Sequence, residues 1–208
     1  MKKIEPFKTP HDAIAILDNG GRFYNILTTA NDGIISKAEL GKVGGIFNDQ
    51  QQMILFLELS LAQLDKTQKA EVISKLDENL KETYLKYKPK ELLPSQVESS
   101  GIKAANTIVT GIPKLTESKN DFNGFIMIPI MTGSVTTFTM IPIMDRYDVY
   151  EIRDQDSDIT FLIAHIKGAE KLPEKKIKIA GVLKELKEDK NQNTTDKLFL
   201  EVVYHIDL

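Results

Sequence analysis

The stretch that divides this chain lies at residues 88–106 and reads KPKELLPSQVESSGIKAAN. Its prolines, serines and glycine are typical of connecting segments, because they interrupt regular structure or favour solvated backbone. Before this stretch apolar residues recur at spacings of three and four, and after it they recur at every second position. The change of period predicts two domains, with a helical domain over 1–88, a linker over 89–106 and a β domain over 107–208.

The helical part carries clear start signals and one almost continuously apolar helix. Thr9 followed by Pro10 is typical of a helix start, and Ser36 with Glu39 three residues later forms a capping box. The stretch 53–64 is apolar nearly all round, which is typical of a helix at the centre of a bundle. We therefore expect an all-α helical bundle.

The β part consists of short strands separated by strong turn signals. Candidate strands lie at 122–131, 136–144, 147–153, 159–166, 176–186 and 198–206. Several short strands without intervening helices predict a small antiparallel barrel or a sandwich. The fold class is therefore α+β, in two domains.

One apolar pentapeptide, MIPIM, occurs twice, at 127–131 and 140–144. A turn at 133–134 would place the two copies side by side, with Pro129 beside Phe138. A small barrel has one interior, so strands that are apolar at successive positions have apolar groups left for the outside. We expect this hairpin to bind a protein partner or a second copy of the chain, with filling of the barrel core as the alternative. The candidate interface residues are Met127, Met131, Met140 and Met144.

Composition excludes several functional classes. Of the 208 residues, 27 are Lys or Arg and 30 are Asp or Glu, which gives a net charge of −3 and disfavours binding nucleic acid mainly through phosphate neutralisation. The absence of cysteine excludes disulfides, thiolate nucleophiles, zinc fingers and iron–sulfur clusters. No apolar run has the length of a signal peptide or a membrane span, so we expect a cytoplasmic protein without membrane contact.

Residues 28–39 follow part of the calcium-loop pattern. Gly33 falls at the turn position, but Thr28 and Ala30 stand where acidic ligands belong. We therefore expect weak binding of a divalent cation, and the alternative is a turn followed by a helix cap. The oxygen ligands that the pattern offers are Asp32, Ser36 and Glu39.

The same region resembles the TerB-like helical domain of tellurite-resistance proteins. The resemblance rests on TANDG at 29–33 and SKAEL at 36–40, followed by an apolar helix, and it covers about residues 10–87. It implies an all-helical module, a cation role for Asp32 and Glu39, and a link to stress responses.

The second part resembles an OB-fold in its strand count and in the segment KIAGVL at 178–183, where a glycine marks the sharp coil of a closing strand. Such barrels bind single-stranded nucleic acid with basic grooves and stacking aromatics. The candidate nucleic-acid-binding residues are Lys176, Lys178 and Lys184. Glutamates are interspersed among these lysines, so the alternative is that the lysines lie on solvated strand faces and bind no nucleic acid.

No catalytic constellation stands out, because a Gly-rich phosphate loop, a nucleophile elbow and an H-E-x-x-H motif are all missing from the sequence. We expect a non-catalytic binding or regulatory protein without a cofactor, apart from the weak divalent cation. The alternative is a single-stranded nucleic-acid-binding protein that acts through the barrel, and an enzyme ranks third.

Overall fold

A computed structural model describes residues 2–19, 31–116, 124–132, 135–154, 159–187 and 197–208. The chain forms two compact units. One comprises Lys2–Lys90 with Tyr204–Ile206, and the other comprises Glu91–Val203 with Asp207–Leu208. Helices dominate the N-terminal half and strands the C-terminal half, which confirms the predicted α+β composition.

The first unit is helical. Its described elements are β1 (Lys2–Lys3), α1 (Pro10–Leu17), α2 (Lys37–Gly44), α3 (Gln50–Ser60), α4 (Lys66–Ser74) and α5 (Glu78–Tyr87). Every residue of α3 from Met53 to Ser60 is buried, which confirms the prediction of a central helix. The end of the chain contributes to this unit, because Lys2 and Lys3 pair in parallel with Tyr204 and His205.

Two helix starts in this unit are tied together by a short β-bridge. The Ile35 amide donates to the Lys75 carbonyl at 2.7 Å, and the Asp77 amide donates to the Ile35 carbonyl at 2.9 Å. Ser36 and Asp77 are the N-caps of α2 and α5, so the bridge joins the residues just ahead of both helices. Ile35 and Leu76 are buried there.

The second unit contains the β structure. Its described elements are β2 (Lys90–Leu92), α6 (Pro94–Ser100), β3 (Asn106–Leu115), β4 (Phe125–Thr132), β5 (Val135–Pro142), α7 (Ile143–Arg146), β6 (Tyr147–Arg153), β7 (Thr160–Ile166), β8 (Ile177–Leu186) and β9 (Lys197–Asp207). Lys90, the first residue of β2, and Tyr204–Ile206 of β9 belong to the helical unit.

Five strands close into a barrel in the order β3-β6-β7-β9-β8 and back to β3. The pairs β3–β6, β3–β8 and β6–β7 are antiparallel, whereas β7 and β9 are parallel. The prediction of an antiparallel barrel is therefore wrong in one respect, since the barrel is mixed. Five strands in a closed ring cannot alternate in direction throughout, so at least one neighbouring pair has to be parallel.

The barrel interior is filled by alternate residues of its strands, as a half-buried strand requires. This core contains Val109, Tyr150, Ile152, Phe161, Ile163, Ile177, Ile179, Leu183, Leu200 and Val202. Leu92 and Val97 join the same core. The segment 89–106 thus contains β2 and α6, and two of its apolar side chains are buried in the barrel core.

Strands β4 and β5 form a separate two-stranded hairpin between barrel strands β3 and β6. Ile126 pairs with Ile141 and Pro129 with Phe138, which confirms the predicted register. The turn residues 133–134 themselves lie outside the described residues. Among the described helices, none has the length and apolar character that crossing a membrane requires.

Candidate functional site

The inner face of the hairpin covers part of the outer surface of the barrel. Ile126 and Ile143 lie in a buried cluster with Tyr147, Val149, Ala164, Leu186 and Phe199. Along β6 and β7, Val149 and Ala164 alternate with residues of the barrel core, so they belong to the outward side of these strands. The hairpin and α7 therefore cover the outward side chains Val149 and Ala164, while the outward Glu151 and Ile166 of the same strands stay exposed.

Backbone hydrogen bonds hold the base of the hairpin to the barrel. The Phe125 amide donates to the Lys187 carbonyl at 2.7 Å, and the Lys187 amide returns a bond to Phe125 at 2.9 Å. The Ile143 amide donates to the Gly124 carbonyl at 2.8 Å. These bonds join the first residue of β4 to Lys187, the residue that follows β8. They thereby fix which face of the hairpin meets the barrel.

The opposite side of the hairpin is apolar and exposed. Met131 is 76% exposed, Phe138 61% and Met127 47%. We call this surface the outer face, and it consists of Met127, Pro129, Met131, Thr136, Phe138 and Met140. Cross-strand pairing arranges it in three rows, Met127 with Met140, Pro129 with Phe138, and Met131 with Thr136.

Three of the four predicted interface methionines lie on this face. Met144 does not, because it belongs to α7 and packs against the cluster beneath the hairpin. The stretch from Phe125 to Met144 contains no charged residue. The exposed side chains of this stretch therefore meet water without the charges that ordinarily accompany surface strands.

The three lysines predicted to bind nucleic acid lie on or next to β8. Lys178 pairs with Glu91 at 3.3 Å, and Lys184 pairs with Glu201 at 2.6 Å. Lys176 is exposed just ahead of the strand. Acidic partners therefore offset the charges of Lys178 and Lys184, so these lysines do not form an unopposed basic strip.

Glu201 also binds a tyrosine on the outside of the barrel. The Tyr147 hydroxyl donates to Glu201 Oε1 at 2.5 Å, while the other carboxylate oxygen accepts from Lys184. Burial, together with the neighbouring carboxylate, raises the pKa of Tyr147. The hydroxyl therefore keeps its proton and acts as a hydrogen-bond donor beneath the hairpin.

The candidate cation ligands are engaged in local hydrogen bonds. Glu39 Oε2 accepts from the amide and the hydroxyl of Ser36, each at 2.8 Å. Asp32 Oδ1 accepts from the Ile34 amide at 2.9 Å, and Asp32 is exposed. The structure thus places Ser36 and Glu39 in a capping box and Asp32 in a turn. Positions 28 and 30 lie outside the described residues.

Sequence reasoning missed Asp18, which reaches the same turn from the end of α1. Asp18 Oδ2 accepts from the Gly33 amide at 2.7 Å, and the carboxylate is buried. Asp18 Oδ1 and Glu39 Oε1 are both buried without a hydrogen-bond partner. Asp18 and Gly33 are fifteen positions apart, so local sequence patterns do not predict this contact. No cluster of three or more metal-binding side chains forms within the described part of the chain.

Compared with known proteins, the chain matches no protein-family model and no curated protein.

Proposed function

We propose that this protein is a non-catalytic binding module in which the barrel carries the hairpin β4–β5 as a protein-docking arm. The observation that carries the proposal is the outer face, whose Met127, Met131 and Phe138 are exposed side by side on one uncharged surface. Contiguous exposed apolar surface marks interaction sites, and methionine and aromatic residues are enriched in the centres of protein interfaces.

We further propose that the barrel is of the OB type. When the barrel strands β3, β6, β7, β8 and β9 are numbered one to five, their order around the ring is one, two, three, five, four. Strands three and five, which are β7 and β9, run parallel. The connection between strands one and two of such barrels is a ligand-binding element. Here that connection contains the hairpin.

This topology is also what favours the alternative, a single-stranded nucleic-acid-binding protein. Ligands of OB barrels lie against strands two and three, which correspond to β6 and β7. In this protein the hairpin covers the part of this surface around Val149 and Ala164, and the nearby Lys184 is paired with Glu201. Both observations favour a protein partner. A salt-dependent mobility shift with single-stranded DNA or RNA at micromolar protein would reverse this preference.

For the helical unit we propose a TerB-like module with a link to stress responses and no resident cofactor. Its helices and the Ser36–Glu39 cap support the resemblance. Divalent cations should bind weakly, because the local hydrogen bonds already engage Asp32 and Glu39. Calcium titration calorimetry tests this point. A micromolar dissociation constant that Glu39→Gln abolishes would contradict weak binding.

Photo-crosslinking tests the docking arm. A photoreactive benzoylphenylalanine replaces Phe138, and the control carries it at Leu85, an equally accessible apolar position in α5 that is 74% exposed. We expect protein adducts from position 138 alone, mapping to one recurrent peptide, and we expect Met131→Glu to remove them. Adducts that are equal at both positions, or that form only with nucleic acid, would overturn the proposal.

A further inference from the structure

We propose that the occupant of the docking arm is a second copy of this chain, with two outer faces packed against each other across a two-fold axis. The inference rests on the proposed function and adds the identity of the partner, the geometry of the contact and its strength.

The chemistry of the outer face restricts its partner to an uncharged apolar surface. A partner that placed a charge against Met127, Phe138 or Met131 would bury that charge without a counter-ion, which strongly disfavours the complex. A second copy presents the same uncharged face by construction. Two-fold pairing of one patch with itself is also the commonest way in which soluble proteins form oligomers.

Contact through strand edges is disfavoured, which leaves contact through faces. Pro129 lies in β4 and Pro142 ends β5, and neither residue has an amide to donate to an added strand. Residues of the outer face are exposed along the length of the hairpin, from Met127 near its base to Met131 near its tip. Side chains rather than backbone groups therefore mediate the contact.

The three rows of the outer face select one orientation. An axis across the strands at the middle row places Phe138 opposite Phe138 of the other copy. The same axis lays the bulky row Met127–Met140 over the smaller row Met131–Thr136. An axis along the strands would instead place the row Met127–Met140 of one copy against the same row of the other copy. The smaller rows Met131–Thr136 would then face each other at the other end and leave a gap between the two copies. The axis at the middle row gives even packing.

The size of the face sets the strength. Eight-residue strands are about 27 Å long and about 4.8 Å apart. Allowing for side-chain relief, the outer face buries on the order of 500 Å² per copy, or about 1,000 Å² in total, whereas stable interfaces bury about 1,200–2,000 Å². We therefore infer a weak and reversible dimer, in concentration-dependent equilibrium with the monomer.

Sedimentation velocity tests the association. We expect the wild type to shift from monomer towards dimer as its concentration rises through the micromolar range. Met131→Glu should remain monomeric, and Leu85→Glu, which places the same charge on an exposed apolar position of α5, should behave as the wild type does. Because Met131 is 76% exposed, its substitution should leave the fold intact, which circular dichroism checks. A wild type that stays monomeric overturns the inference.

Cysteine crosslinking tests the geometry, and the chain contains no native cysteine to interfere. With a short bismaleimide, Phe138→Cys should crosslink with itself. Met127→Cys and Met131→Cys should crosslink efficiently only when the two variants are mixed. Efficient linkage between Met127→Cys and Met140→Cys of different copies would overturn the proposed axis.

The two proposals fail in distinguishable ways. A monomeric wild type whose position-138 probe still labels a different protein overturns the second copy but leaves the docking arm standing. A monomeric wild type without such adducts overturns both proposals. Binding to phosphatidylcholine vesicles that Met131→Glu abolishes, in a wild type that stays monomeric, identifies a membrane surface as the occupant and also overturns both.

Discussion

At the scale of single residues, the turn before α2 shows how one set of side chains supports two chemistries. Glu39 and Ser36 fit both a cation loop and a helix cap, and the structure gives them the cap through reciprocal hydrogen bonds. Burial decides the balance. A buried carboxylate needs hydrogen-bond donors, and the Ser36 amide and hydroxyl supply two of them to Glu39 Oε2.

Replacing Ser36 by Ala should therefore cost stability in the absence of any metal. The variant loses the hydroxyl that accepts from the Glu39 amide and donates to the Glu39 carboxylate. We expect the free energy of unfolding to fall by about 0.5–2 kcal/mol. Denaturant unfolding measures the change, with Ser74→Ala at an exposed helix end as the control. A loss that appears only after a divalent cation is added would contradict the capping account.

Alkaline pH should destabilise the protein through its buried tyrosines. Burial, with the Asp49 carboxylate as a lesser cause, raises the pKa of Tyr204 to about 12, compared with about 10 in an unfolded chain. Because the folded state holds this proton more tightly, its contribution to stability is complete below pH 10 and is lost as pH rises towards 12. Tyr204→Phe should therefore flatten the fall in the free energy of unfolding over this range. Parallel curves for the two proteins would show that Tyr204 does not titrate in this way.

At the scale of elements, barrel closure depends on the close approach of β8 and β9 at Gly181. A Cβ built at Gly181 would overlap the Glu201 backbone carbonyl and contact the Leu200 side chain at 3.1 Å. The glycine in the sequence KIAGVL therefore marks a point where β8 and β9 approach so closely that no side chain fits between them.

Gly181→Ala should lower the free energy of unfolding by about 1–3 kcal/mol, as overpacking does in other cores. Gly168 has open space around its Cβ position but a φ of +87°, so Gly168→Asn is the control, because asparagine tolerates that conformation. We expect thermal denaturation to show a smaller loss for the control. Equal losses would contradict the view that the close approach of the Glu201 carbonyl excludes a side chain at position 181.

At the scale of the whole molecule, the two units do not follow the order of the chain. Tyr204–Ile206 belongs to the helical unit, where Tyr204 contacts Phe56 with ring centroids 6.2 Å apart. A boundary drawn only through 89–106 would separate these residues from the unit to which they contribute. The domain limits 1–88 and 107–208 stay a prediction that proteolysis tests.

Limited trypsin digestion should cut first at Lys90 or Lys103, because both are exposed and the helix between them is anchored by the buried Val97. The isolated fragment 1–90 should then be less stable than the same residues in the full chain, since it lacks Tyr204. Hydrogen exchange of the α3 amides measures this loss. A fragment with unchanged protection, or a first cut elsewhere in the described chain, would contradict the division.

Local signals in the sequence determined the helical character of the N-terminal half, the central position of α3, the capping box and the hairpin register, because caps, turns and periodicity act between residues a few positions apart. Tertiary structure decided the parallel β7–β9 pair, the approach of Asp18 to Gly33 and the transfer of Tyr204–Ile206 to the helical unit. It also decided which face of the apolar hairpin meets the barrel. These features join residues distant in the chain, and closure of the ring selects among pairings that the local pattern leaves equivalent.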